Sequence, residues 1–243
     1  MAIDTILAYD ATGGGVMAVV APTSLTIKKD GHIVGYFYDG TIAEDVVVTN
    51  ANNPSWEAAG FKLQSTSDGT AIGAGDCIRW LTHKVPVKQG DTLVLTSTSG
   101  AAAVYCGIFI EYKGGLGFAP RGELEGQAYL VTKATTAGGT NCAAGTIVQG
   151  ATNMTGFGQG RTYTPVQIKA NAAFTTTAFL GIRKLGGDNY LFIMPVGLTD
   201  IANDMKRNLV PKGVMTVTQG DAIEVFWASV TAEEPTADIM FAY

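Results

Sequence analysis

Histidine occurs only twice in these 243 residues, at His32 and His83, and this scarcity removes most site chemistry from consideration. A His-rich metal set is excluded, and no G-x-S-x-G elbow, H-E-x-x-H or Cys–His pairing accompanies either residue. His32 follows Asp30-Gly31 in an expected turn, and His83 lies between Thr82 and Lys84 before a strand. Both read as solvated loop or strand-end residues. Cysteine is also sparse: Cys77, Cys106 and Cys142 are odd in number and lack metal-ligand spacing. Reduced thiols are the expectation, with a Cys77–Cys142 pair as the alternative. Cys106 alternates with Val104 and Ile108 and should lie in a sheet core.

Charge is thin as well. Charged residues make up 15% of the chain, against roughly 25% in ordinary domains, and the net charge is −5. No run of Lys or Arg exceeds two residues (Lys28-Lys29, Lys206-Arg207), so direct nucleic-acid binding is not expected. Long apolar runs are missing too. Val16–Ala21 spans six residues, far short of the roughly 20 a membrane helix needs. Met1-Ala2-Ile3-Asp4 lacks a positive leader region, which implies synthesis in the cytoplasm.

Glycine and apolar side chains dominate what is present. Thirty-one glycines, scattered without period, fit many tight turns, and 47% apolar content is ample for a large core. High apolar content with few charges suits a surface covered by copies of the same chain. The most informative pattern is internal. Val85–Leu95 (VPVKQGDTLVL) and Met215–Val225 (MTVTQGDAIEV) share apolar positions around one Gln-Gly-Asp turn, at an offset of 130 residues. Downstream, Ile108–Tyr112 matches Ile239–Tyr243. Upstream, Val46–Asn52 matches Pro165–Asn171. Three anchors in one order predict a single all-β unit used twice.

Residues 1–23, with Gly13-Gly14-Gly15 between two apolar pieces, read as an N-terminal arm packed on a neighbouring subunit or inner surface. A first unit is expected over 24–113, a linker over 114–126 and a second unit over 127–243. Each holds short strands at 8–12-residue spacing, as in an antiparallel sandwich or barrel. Gly114–Pro120 is followed by no helix pattern and no Gly-Lys-Ser/Thr, so it is no phosphate loop. One helix is expected at 200–209, capped by Thr199 or Asp200, with Ile201, Met205 and Leu209 on one face and Pro211 stopping it.

Candidate side chains favour structure over chemistry. Asp39, Glu44 and Asp45 form one carboxylate group and Glu233, Glu234 and Asp238 another. Either could hold a hard cation, but both read as polar turns. Asp91 and Asp221 should cap backbone N–H groups in their turns. Trp227, in phase with Ile223 and Val225, belongs to the core. Trp56 follows Asn52-Asn53-Pro54-Ser55 and suits either sugar stacking or a subunit contact. No catalytic, cofactor-binding or metal-ligating residue is assigned, no cofactor is expected, and the chain is read as not an enzyme.

The paired hairpins 85–95 and 215–225, the closing strands 104–112 and 239–243, and the segment 200–209 resemble the double jelly-roll major capsid proteins of tailless icosahedral viruses. That family includes adenovirus hexon and the membrane-containing phages. The resemblance spans about residues 24–243 and lies in architecture rather than in a diagnostic motif. It implies two tandem jelly-roll β-sandwiches, with a short helix before the second Gly-Asp hairpin. It implies a homotrimer of pseudo-hexagonal outline that tiles an icosahedral shell in the virion. Other capsid proteins, such as penton or minor proteins, would be partners, and the arm would lie toward an inner membrane where one exists. The rival readings are a phage decoration, spike or tail protein and a carbohydrate-binding jelly-roll module.

Overall fold

In the computed structural model, the described residues are 3–21, 25–40, 44–50, 52, 61–64, 78–98, 104–114, 117–119, 129–130, 134–136, 145–150, 153–170, 178–187, 189–196, 209–229 and 236–243. Among them the chain is all-β, with antiparallel sheets and no helix. The first half supplies β1 (Ile3–Asp10), β2 (Ala18–Ala21), β3 (Gly31–Tyr38), β4 (Asp45–Asn50), β5 (Phe61–Gln64), β6 (Arg79–Val87), β7 (Leu93–Ser97) and β8 (Val104–Tyr112). The second supplies β9 (Tyr129–Leu130), β10 (Ala134–Thr136), β11 (Val148–Gln149), β12 (Thr164–Ala170), β13 (Ala178–Lys184), β14 (Phe192–Val196), β15 (Ile223–Ser229) and β16 (Thr236–Ala242). They pair as β2-β1-β8-β3-β6, β5-β4-β7, β11-β15-β13-β14 and β10-β16-β12, with β9 also on β16.

Residues 3–21 correct the expected arm. β1 pairs with β8 along its whole length, from Ile3–Glu111 to Asp10–Val104, and β2 folds back beside it. Ile3, Ile6 and Leu7 are buried in the chain's own core, so the first unit begins at residue 3 rather than 24. The glycine triplet makes a turn instead of a break. Gly13 and Gly14 take φ of 75° and 73°, and the Asp10 carboxylate accepts the N–H groups of Thr12, Gly13 and Gly15.

The five-stranded sheet is buried on both faces. One face sends Ile6, Ile33, Tyr36, Ile108 and Ile110 toward Val46, Val48, Leu63, Leu93 and Leu95 of the β5-β4-β7 sheet. The other sends Leu7, Phe37, Tyr105 and Phe109 toward the second half. This explains why β8 reads as a continuous apolar run rather than an alternating one: it sits centrally between two packed layers. Gly107 is required there, because a Cβ would lie 2.1 Å from the Phe37 ring. Pro86 is tolerated because β6 is the outer strand of the described sheet, where one ladder donor can be spared.

The two halves repeat one pairing scheme. β4 lies between β5 and β7, as β13 lies between β14 and β15; β8 lies between β1 and β3, as β16 lies between β10 and β12. Leu95 pairs with Val48, and Val225 with Ile182, so the partner of β4 in the second half is β13. This corrects the upstream anchor. Pro165–Asn171 belongs with β3 rather than with Val46–Asn52, because β12 pairs with the closing strand β16 as β3 pairs with β8. The error has a plain cause: β-branched runs ending in Ala-Asn look alike, and only pairing tells them apart. The expected helix at 200–209 lies outside the described residues except for Leu209, which bridges to Gln167. Cys77 lies outside the described set.

Candidate functional site

The two histidines do not share a site. His32 is half-buried on β3, opposite Pro86 on β6 and Glu111 on β8, so it is a strand residue rather than a turn residue. Its neighbour Glu111 is already committed: Lys84 Nζ lies 2.6 Å from Oε2, and the Phe118 N–H donates to Oε1 at 2.9 Å. His83 is exposed within β6.

The first carboxylate group divides. Asp39 accepts a short hydrogen bond from the Tyr105 N–H, while its own N–H donates to the Tyr105 carbonyl at 3.1 Å. Burial pushes its carboxyl up to about 7 against the hydrogen bond it accepts from the Tyr105 N–H, and the nearby charge of Glu44 adds to the rise. The side chain keeps some surface exposure, yet protein atoms surround it closely enough for desolvation to dominate. Asp45 turns away, toward Lys62 Nζ at 3.0 Å and the Thr98 hydroxyl at 3.0 Å. Among the described residues no three His, Cys, Asp or Glu side chains are grouped to hold a metal ion. Glu233, Glu234, Trp56 and Cys142 lie outside the described set, as does the side chain of Asp238.

Cys106 is fully buried in the first core, where desolvation first and then the charge of Asp39 push its thiol above the ordinary range. Trp227 is core, as its spacing implied, with 2% of its surface exposed. Trp80 is half-buried, its ring 5.0 Å from both Phe109 and Phe118.

Sequence reading missed a buried carboxylate that ties the two halves together. Asp4, 1% exposed, accepts from Lys28 Nζ at 2.8 Å through Oδ2 and from the Leu191 N–H at 2.9 Å through Oδ1. Burial raises its pKa, while Lys28 and the Leu191 N–H oppose the rise. Beside it Thr5 exchanges hydrogen bonds with β14: its N–H donates to the Leu191 carbonyl at 2.8 Å and its hydroxyl accepts the Ile193 N–H at 3.0 Å. Tyr112 and Tyr190 meet in a tilted contact at 4.8 Å next to this pair, with Lys28 5.2 Å above the Tyr190 ring. Asp4 and Thr5 thus join the two halves. The available signal was an acidic residue set within the largely apolar stretch Ile3–Tyr9, which marks a buried carboxylate with a partner rather than a tail.

Aromatic rings complete the junction. Phe179 stacks on Phe37 at 5.3 Å and meets Tyr105 at 4.7 Å, and Phe192 stacks on Phe109 at 5.6 Å. The polar groups described here bind backbone or each other and hold strands in place. No helix among the described residues is long and apolar enough to cross a membrane. Neither the known protein families nor the curated proteins contain a match to this chain.

Proposed function

We propose that the chain is a virion structural protein, a major capsid protein whose homotrimers of pseudo-hexagonal outline tile an icosahedral shell. The observation that carries this reading is the doubled strand order. Counted along the first half, with residues 15–17 and 25–27, which bond the free side of β7, taken as the second position and β2 set aside at the edge of its sheet, one sheet runs 1-8-3-6 and the other 2-7-4-5. The second half runs β9 and β10, β16, β12 and the 209–217 segment in one sheet, and β11, β15, β13, β14 in the other. This order supports reading each half as an eight-stranded jelly roll.

Two similar units in one chain give a three-fold ring six similar sides, the geometry a hexagonal lattice requires. Low charge and a net charge of −5 suit a protein that encloses a genome through contacts with itself and with other capsid proteins, without binding the nucleic acid directly. Sedimentation and negative-stain imaging of the purified protein test the reading. Trimers of the 25.3 kDa chain with a hexagonal outline are expected, and a stable monomer at every concentration would overturn it.

A further inference from the structure

The contact between the two halves runs head to tail. The first unit offers the outer face of its five-stranded sheet (Phe37, Tyr105, Phe109), and the second receives it on the outer side of β13 and along the edge strand β14. Each unit therefore has a giving face and a receiving face, and the internal contact uses one of each. Among the described residues, the receiving face of the first unit and the giving face of the second have no such contact.

Pairing locates both. Val46 and Leu180 are equivalent through their partners Ser97 and Trp227, so Val47 stands where Gly181 does, on the outer side of the β5-β4-β7 sheet. Val47, Thr49, Val94 and Thr96 are half-buried along that side, and Val16, bridged to Thr96, is 69% exposed, the most exposed large apolar residue described. On the other unit, Met240 stands where Phe109 does. It points away from the core that holds Ile239 and Phe241, and it is half-buried beside Ala242 and Thr164.

We infer that the β5-β4-β7 face centred on Val47 receives the Met240 face of a second copy of this chain, repeating between chains the contact that joins the halves within one. The inference rests on the shell-forming reading and assigns its lateral surfaces within the trimer. A heterologous contact of this kind closes into a ring when its rotation permits. One difference between the two receiving faces fits a contact made after folding. Where the internal face holds Phe179 and Ile193, the first unit holds Asp45 and Lys62, an ion pair at 3.0 Å that keeps the face soluble until it is covered.

Val47→Arg and Met240→Arg test the assignment by sedimentation, with far-UV circular dichroism as the control for folding. Each variant should sediment as a folded monomer while the wild type is a trimer. A second test needs no charge insertion. In a Cys77→Ser, Cys142→Ser background, Val47→Cys combined with Met240→Cys should give on oxidation a ladder of linked chains ending at three. Neither cysteine alone should cross-link. A trimeric wild type with trimeric, folded arginine variants and no ladder overturns this interface and leaves the shell-forming reading standing. Cross-linking by Val47→Cys alone would mean a two-fold contact and overturns it as well. A wild type that stays monomeric overturns the proposed function and this assignment together.

Discussion

Asp91 and Asp221 hold the same turn in the two halves: Asp91 Oδ2 accepts the Lys88 N–H at 2.8 Å, and Asp221 Oδ2 accepts the Thr218 N–H at 2.7 Å. The N–H groups of Asp91 and Asp221 in return donate to the carbonyls of Lys88 and Thr218, at 3.1 Å in both turns. Gly90 and Gly220 share a φ of 86°. The match extends from sequence to hydrogen-bond geometry, and these turns fix the register of the strands that follow.

Replacing either aspartate with alanine should therefore destabilise the protein by about 0.5–2 kcal/mol, with the larger loss at Asp91, which is buried while Asp221 is half-exposed. Thermal melts of Asp91→Ala and Asp221→Ala measure this. Equal, negligible shifts would show that glycine alone sets the turn.

Asp4→Ala should cost more, on the order of 3–5 kcal/mol, because it leaves Lys28 and the Leu191 N–H without their shared acceptor at the junction of the halves. Urea unfolding is the measurement. A broadened or two-step transition would show the halves uncoupling, whereas an unchanged midpoint would contradict the junction described above.

Asp39 predicts a pH dependence. Its carboxyl is held up at about 7 in the folded chain, and an unfolded aspartate ionises near 4. Between these values the folded state carries the extra proton, so this group's stabilising contribution is full below about 4 and is lost as the pH rises through about 7. The expected swing is about 1–3 kcal/mol once partial exposure is allowed for. Melting temperatures of the wild type and Asp39→Asn from pH 4 to 8 test it: the wild type should lose stability upward, and the variant should be flatter.

Gly107→Ala should destabilise by about 1–3 kcal/mol, because its Cβ would enter the Phe37 ring, which is locked between Phe109 and Phe179. Chemical denaturation checks the size. A neutral result would mean that the aromatic junction is loosely packed.

The all-β class, the paired hairpins and closing strands, and the roles of Asp91, Asp221 and Trp227 were legible in the sequence. Alternation and turn chemistry are local, and a 130-residue offset needs no structure to be seen. Residues 3–10 were misread because three glycines mimic a break. Whether such a loop ends an element or folds it back depends on whether a partner strand lies alongside, and that partner, β8, is about a hundred residues away. Asp4 was hidden for the same reason, since its acceptor role depends on Lys28 and Leu191, which only folding brings together. Local hydrophobic pattern therefore determined which segments are strands and which residues face a core. Tertiary structure alone decided which strand lies beside which and which outer face is covered, because pairing and sheet packing are long-range contacts that a period of two leaves degenerate.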